Sequence, residues 1–211
     1  MKRLRKEPKD DSVVVDAKTL YVVDTDAEHL GGNVPYGDSW TFCPNVWRYV
    51  MDRFSTKSVL DVGSGTGHAS AFFHRHGQRV VAVEGLQWNV DHSVYPAVLF
   101  DFQNGPVYAP VDLVHCHEVV EHIEEKFIEN LLATLLNGRY ILITAAGPDQ
   151  PGHHHVNLQP ETYWIDHLAA KGCKFLDDDS ARIRKMAAAE GAWHMARSGM
   201  LFFNANRVET A

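Results

Sequence analysis

The sequence is short of what several protein classes need. It has only three cysteines, Cys43, Cys116 and Cys173, scattered through 211 residues. They make no disulfide framework, and a reducing compartment, by default the cytoplasm, is expected. No apolar run approaches the ~20 residues that cross a bilayer, so no membrane partner is expected. Met1 to Lys9 is basic but has no apolar segment behind it, unlike a secretion signal. Positive charge is scarce as well. Lys and Arg number 20 against 27 Asp and Glu, a net charge of −7, which works against a large nucleic-acid footprint because phosphates need clustered Lys and Arg. The one basic cluster, Lys2, Arg3, Arg5, Lys6 and Lys9, reads as a solvated, disordered tail over residues 1–11. There is no internal repeat and no low-complexity segment.

What is present is a chain long enough for one well-filled core. Its centre is Val59-Leu60-Asp61-Val62-Gly63-Ser64-Gly65-Thr66-Gly67, an apolar run entering a turn with three alternate glycines. Glycine admits positive φ and close approach of a ligand to the backbone, and the helix expected next offers free N–H groups. The following apolar run, Val80 to Val83, ends at Glu84, a carboxylate placed to accept both hydroxyls of a ribose. Further strands are expected at Val98–Phe100, Val111–Cys116, Tyr140–Thr144, Cys173–Leu176 and 199–205, with helical patterns between them, most clearly Val119–Leu136 and Asp178–Glu190. That alternation predicts an α/β fold with a doubly wound, mostly parallel, seven-stranded sheet in a single domain, its ligands at the carboxyl ends of the strands.

Before this domain, expected over 56–206, residues 12–55 read as a cap or lid. Val13–Val15 and Leu20–Val23 suggest a hairpin, and Gly31 to Trp40 is too rich in Gly and Pro for regular structure. Pro44 to Phe54 has amphipathic helical spacing. Trp40 and Phe42 are candidates for a cover over the ligand. Trp193 and His194, beyond the last expected helix, could face the acceptor or pack, and packing is the expectation.

A second constellation follows the fourth strand. If His117-Glu118-Val119-Val120-Glu121-His122 opens a helix, Glu118, Glu121 and His122 stand on one face of its first turn, where they could hold a divalent cation. The same spacing also suits a solvated face opposite a buried stripe of Val120, Ile123, Phe127 and Leu131. After the fifth strand, Gly152-His153-His154-His155 starts from the same sheet edge and can bring imidazole to those carboxylates. Mixed imidazole and carboxylate donors suit Mg, Mn, Fe or Zn.

The glycine spacing separates two cofactor classes. A dinucleotide fingerprint usually places its third glycine three residues after the second, and here Gly67 follows Gly65 by two. Tyr-x-x-x-Lys, needed for short-chain reductase chemistry, occurs nowhere. With Asp61 ahead of it, the turn resembles motif I of class I S-adenosylmethionine-dependent methyltransferases, whose seven strands end in a pair. The resemblance implies a donor held by Asp61, Gly63, Gly65, Gly67, Glu84, Asp101 and Phe102, with Cys116 and His117 lining the methyl channel. Glu118-Val119-Val120-Glu121-His122 also resembles the Glu-x-x-Glu-His motif of metal-dependent small-RNA 2′-O-methyltransferases and ubiquinone-pathway O-methyltransferases. It implies a divalent metal on Glu118, Glu121, His122 and His155, with His153 competing for the last place and His117, His153 or His154 as base. The expected function is O-methylation of a hydroxyl on a small molecule or sugar. The alternatives are an RNA-end 2′-O-methyltransferase, with a basic groove of Arg182, Arg184, Lys185 and Arg197, and a non-catalytic scaffold that binds S-adenosylmethionine.

Overall fold

A computed structural model describes residues 13–16 and 20–207; the expected basic tail lies outside the described residues. Three short strands, β1 (Val13–Val15), β2 (Val22–Asp24) and β3 (Gly31–Asn33), form a small antiparallel sheet in that order. The expected hairpin is β1 and β2. β3 corrects the expectation of an irregular stretch: Gly31 and Gly32 take φ of +100° and +93°, and a Cβ on Gly31 would lie 2.4 Å from the Val22 carbonyl oxygen. The glycines that argued against a strand are what let this one approach its neighbour.

Helix α1 (Pro44–Phe54) starts with Pro44, whose fixed φ suits the first turn, and ends at Ser55 in the left-handed region. Then come β4 (Ser58–Val62), α2 (His68–Arg75), β5 (Arg79–Glu84), α3 (Gln87–His92), β6 (Ala97–Leu99) and β7 (Val111–Cys116). They are followed by α4 (Ile128–Leu135), β8 (Gly138–Ile143), α5 (Glu161–Ala170), β9 (Cys173–Phe175), α6 (Asp177–Glu190), α7 (Trp193–Ser198) and β10 (Met200–Asn204). The seven main strands lie in the order β6-β5-β4-β7-β8-β10-β9. Only β10 runs antiparallel to its neighbours. The chain reverses direction across the sheet between β4 and β7, and a crevice opens beyond the carboxyl ends of those strands.

Alternation along the central strands feeds two cores. Val59, Leu113, Leu142 and Leu201 face Trp47, Val50, Phe73, Ile183 and Met195 from α1, α2, α6 and α7. Leu60, Val62, Val114, Ile141 and Ile143 face Leu131, Leu135, Trp164 and Leu168 from α4 and α5. Large apolar side chains buried this completely contribute roughly 2 kcal/mol each. Val46, Trp47, Val50 and Met51 are all buried, so α1 packs into this domain's core, and residues 20–43 ahead of it form the covering segment. Among the described residues no helix is long and apolar enough to cross a membrane.

Two expectations at the fourth strand are corrected. The helix expected from Val119 begins only at Ile128, after 3-10 turns at Val120–His122 and Glu125–Phe127, because Ile123 and Glu124 between those turns are extended. Glu118 lies outside any helix, with φ of +55°.

Candidate active site

A single cleft of about 770 Å³ runs along the carboxyl edge of the sheet, from the glycine turn to the histidine loop. The three glycines do different work. Gly63 has φ of +64°, and a Cβ there would lie 2.3 Å from Val119 Cγ2; at Gly67, φ +79°, it would lie 2.2 Å from Ser93 Oγ. Both positions are needed for packing. Gly65, φ +54°, has nothing within 4 Å of its added Cβ and faces the open cleft. Gly67, expected among the cofactor contacts, does not line the cleft.

Glu84, the last residue of β5, is 8% exposed. Its Oε2 accepts from the Gly65 N–H at 2.7 Å, and its Oε1 from the Leu86 N–H at 2.9 Å and from Asn89 Nδ2 at 3.1 Å. Burial raises its carboxyl above the usual range, and these donors pull it back. Asn89 also exchanges amide hydrogen bonds with Asn33 of β3. Asp61 is 1% exposed; Ser70 Oγ donates to its Oδ2, and His115 Nδ1 lies 2.7 Å from its Oδ1. Trp47 Nε1 donates to His115 Nε2 at 3.2 Å, so α1 reaches the turn through a chain of side chains. Asp101 Oδ1 accepts from the Gln103 N–H, and its Oδ2 is 2.9 Å from His29 Nε2 in the covering segment. Phe102 lines the cleft beside it. Cys116 does not: its side chain is fully buried in the core on the α4 side, and burial pushes its thiol well above the usual range. The inward pleat of β7 at that register accounts for this correction.

At the other end of the cleft, Glu121, His122 and His155 each present a ligand atom, all within 4.8 Å of one another. The Glu121 carbonyl accepts the N–H groups of Val156 and Asn157, at 3.1 and 3.0 Å, which fastens the histidine loop to the Glu121 turn. His155 Nδ1 lies 2.7 Å from the Gln150 carbonyl. It must donate there, so Nε2 carries the lone pair, the arrangement usual for a metal-bound imidazole. A Cβ on Gly152 would lie 2.4 Å from that Nε2, so a larger residue there would displace the ring. Glu121 is fully buried; the N–H of Ala146 and the Glu118 carboxyl lie near its carboxyl group, but neither oxygen makes a well-formed hydrogen bond. Burial, and then the charge of Glu118, drive its carboxyl far above the usual range. Burial, with His155 and His153 adding to it, drives His122 down to about 3. A buried carboxylate without a partner is costly unless something cationic satisfies it. The donor set fits a divalent cation, and the burial of Glu121 does not suit the alternative of a solvated face.

The remaining expected residues divide. His117 lines the cleft, with both ring nitrogens buried and unpartnered, and burial takes it down to about 3. His153 also lines it, close to His122 across Gly32. His154, with φ of +46°, does not line the cleft; its ring lies 6.3 Å from that of His29. Glu118 is not among the three donors grouped within 4.8 Å, but its carboxyl lies against that of Glu121. Its Oε2 is 2.9 Å from His194 Nδ1, and His194 Nε2 is 3.6 Å from Asp38. Burial opposes charge on His194, but the hydrogen bonds and charges of Asp38 and Glu118 carry it up to about 10. His194 was expected to pack, and here it faces the site from α7. No local motif marks it, because its partners lie 76 and 156 residues away in the chain. Trp193 is 59% exposed and does not pack either.

Among the described residues no Lys or Arg side chain lines the cleft. Arg184 bonds the Gly199 carbonyl and Glu161, Arg197 pairs with Asp149, and Arg182 lies over the Tyr49 ring. The basic groove an RNA end would need is not formed by these arginines.

Residues 40–191 match a family described as "Methyltransferase domain". No curated protein matches the sequence. Among solved structures, the sugar N-methyltransferase KedS8 from Streptoalloteichus sp ATCC 53650 is similar at 15% identity and TM-score 0.57, over 79% of this chain and 88% of that one. The plantazolicin methyltransferase BpumL in complex with SAH is similar at 13% identity and TM-score 0.52, over 79% and 82%. Magnesium protoporphyrin IX methyltransferase from Synechocystis PCC 6803 with bound SAM is similar at 18% identity and TM-score 0.50, over 62% and 66%. These likenesses establish a shared fold.

Proposed function

The chain belongs to the methyltransferase domain family, and from that premise we propose that it methylates a hydroxyl of a small molecule or sugar with the help of a divalent cation. It is a class I S-adenosylmethionine-dependent methyltransferase. Such enzymes transfer a sulfonium methyl group by in-line displacement, so alignment of donor and acceptor supplies much of the rate.

The observation that carries the reading is the buried, unpartnered Glu121 carboxylate beside His122 and His155, in the same cleft as Gly65 and Glu84. In this reading Glu84 accepts the ribose hydroxyls, Asp101 and Phe102 border the adenine, and the turn at Gly63 and Gly65 faces the methionine part. Asp61, fixed by Ser70 and His115, accepts from the amino group. Glu121, His122 and His155 hold the cation, with Glu118 close enough to join them. A bound divalent cation would lower the pKa of a coordinated hydroxyl, as it lowers that of water. His117 and His153 both line the cleft with an unpartnered ring nitrogen, and either takes the proton. Residues 20–43, through Asn33, His29 and Asp38, close the cleft from above.

The test is metal content and turnover in protein purified without an affinity tag, wild type against Glu121→Ala. The reading requires a stoichiometric divalent ion that the variant lacks, and methyl transfer that falls while cofactor affinity is kept. Equal metal content in the two removes the cation from the mechanism.

A further inference from the structure

Strands β1–β3 pair only with one another, in a sheet separate from the main one. Residues 29–33, which include β3, all line the cleft, and three of them meet its glycine-turn end. Asn33 and Asn89 exchange amide hydrogen bonds in both directions, at 2.8 and 2.9 Å, and Asn89 Nδ2 also donates to Glu84 Oε1 at 3.1 Å. Asn89 is 2% exposed, and Asn33 is what satisfies its amide oxygen. Without Asn33 that buried oxygen is unpaired, and nothing in the pair keeps it turned away from the Glu84 carboxylate. His29 Nε2 lies 2.9 Å from Asp101 Oδ2. Between these two contacts Leu30 seats on Gly85, where an added Cβ would lie 2.7 Å from Leu30 Cδ2. One short segment therefore touches the chain just beyond β5 and β6 at three points.

We propose that residues 29–33 are part of the donor site: they wall the adenosine half, and Asn33 and His29 are positioning residues that act on the donor through Glu84 and Asp101. Donor binding and the seating of this segment are then one event, and each strengthens the other by the same factor. None of the three contacts is made to the glycine turn itself, so the adenosine half alone suffices to seat the segment. The inference rests on the proposed placement of the donor at Glu84 and Asp101 and is independent of the cation.

The experiment measures amide hydrogen exchange of residues 29–33 in the wild type, alone and with S-adenosylhomocysteine, adenosine or homocysteine. Exchange should slow with S-adenosylhomocysteine and with adenosine, and stay unchanged with homocysteine. Calorimetry then compares the wild type with Asn33→Ala, His29→Ala and His29→Gln, each first shown to fold by its circular dichroism. Both alanine variants should bind S-adenosylhomocysteine and adenosine about fivefold more weakly, by the same factor for the two ligands, the worth of one lost hydrogen bond. His29→Gln, which keeps an N–H donor, should recover most of the loss. Unchanged exchange with S-adenosylhomocysteine overturns the proposal, as does slowing by homocysteine alone or unchanged affinity in either alanine variant. If Glu84→Gln still weakens S-adenosylhomocysteine binding, such a result leaves the donor's placement standing. If Glu84→Gln binds as the wild type does, that placement falls with it.

Discussion

The two ends of the cleft are built on opposite principles. At the glycine turn every acid has its partners: Glu84 accepts three hydrogen bonds, and Asp61 is held by Ser70 and His115. At the histidine loop the buried polar atoms lack them: both oxygens of Glu121, both nitrogens of His117, His122 Nδ1 and His153 Nε2. Folded chains leave few buried polar atoms unsatisfied, and each one left asks for a reason. The first end is a nearly finished cradle that a ligand joins, Ser64 Oγ being the buried polar atom of its turn that lacks a partner. The second is complete only with a ligand in place, and its stability and its chemistry therefore depend on one another.

The sharpest way to break this contrast is Glu121→Ala. Loss of a cation that supplies several kcal/mol of charge stabilisation should lower kcat/KM on the order of 10³-fold. Cofactor affinity, read separately by calorimetry, should stay nearly constant. Equal losses in both would mean that the two ends are not independent. Next in size is Gly63→Ala, where a Cβ 2.3 Å from Val119 Cγ2 at φ +64° should cost about 3 kcal/mol by overpacking and backbone strain together. Gly65→Ala, with open space around its Cβ, should cost only about 1 kcal/mol in unfolding titrations and should weaken the cofactor instead. If the two alanine variants lose stability alike, Gly65 is not the cofactor-facing glycine.

The same contrast explains what could be read from residues alone. The cradle is contiguous: a strand, a turn and a second strand place Gly63, Gly65 and Glu84 by local rules, and the strand order follows from the alternation of elements. The resemblance implied Gly67 and Cys116 at the ligand, and the packing of Ser93 and the pleat turn them away from the cleft. The second end is assembled from far apart. The Glu121 carbonyl captures the backbone of Val156 and Asn157, and no spacing within Glu118–His122 foretells it. A helix was expected from residue 119 because the apolar spacing fits one. The chain instead uses 3-10 turns, which bury Val120 and Glu121 together, and a continuous amphipathic helix would have left that glutamate in water. His194 carries no motif of its own; its role comes from α7 meeting the covering loop.

Glu84→Gln sharpens the comparison from the finished side. Both Glu84 oxygens accept from N–H donors, so an amide would set its NH₂ against one of them, and cofactor affinity should fall by about 10-fold or somewhat more, the worth of hydrogen bonds to a charged group. Burial raises this carboxyl in the folded protein. A raised folded value means the group favours the fold most at pH below its unfolded value of about 4.3, and that contribution fades as pH rises through the folded value. Cofactor binding, which uses the ionised form, should run the other way and weaken as pH falls through the raised value. A calorimetric pH series should show that dependence in the wild type and none in the glutamine variant.

The smallest effect tests whether the cradle is held from below. Trp47 lies in α1, outside the turn, yet its indole N–H is the donor to His115 Nε2, and His115 in turn meets Asp61. Trp47→Phe keeps most of the apolar volume and removes only that donor, leaving a buried acceptor unpaired at a cost of about 1–2 kcal/mol. If Asp61 is positioned through this chain, cofactor affinity should drop about threefold beside the stability loss, and His115→Phe in the same background should add little, since neighbours in one network are not additive. Fully additive losses would mean that α1 merely fills space beneath the turn, and that Ser70 alone holds Asp61 in place.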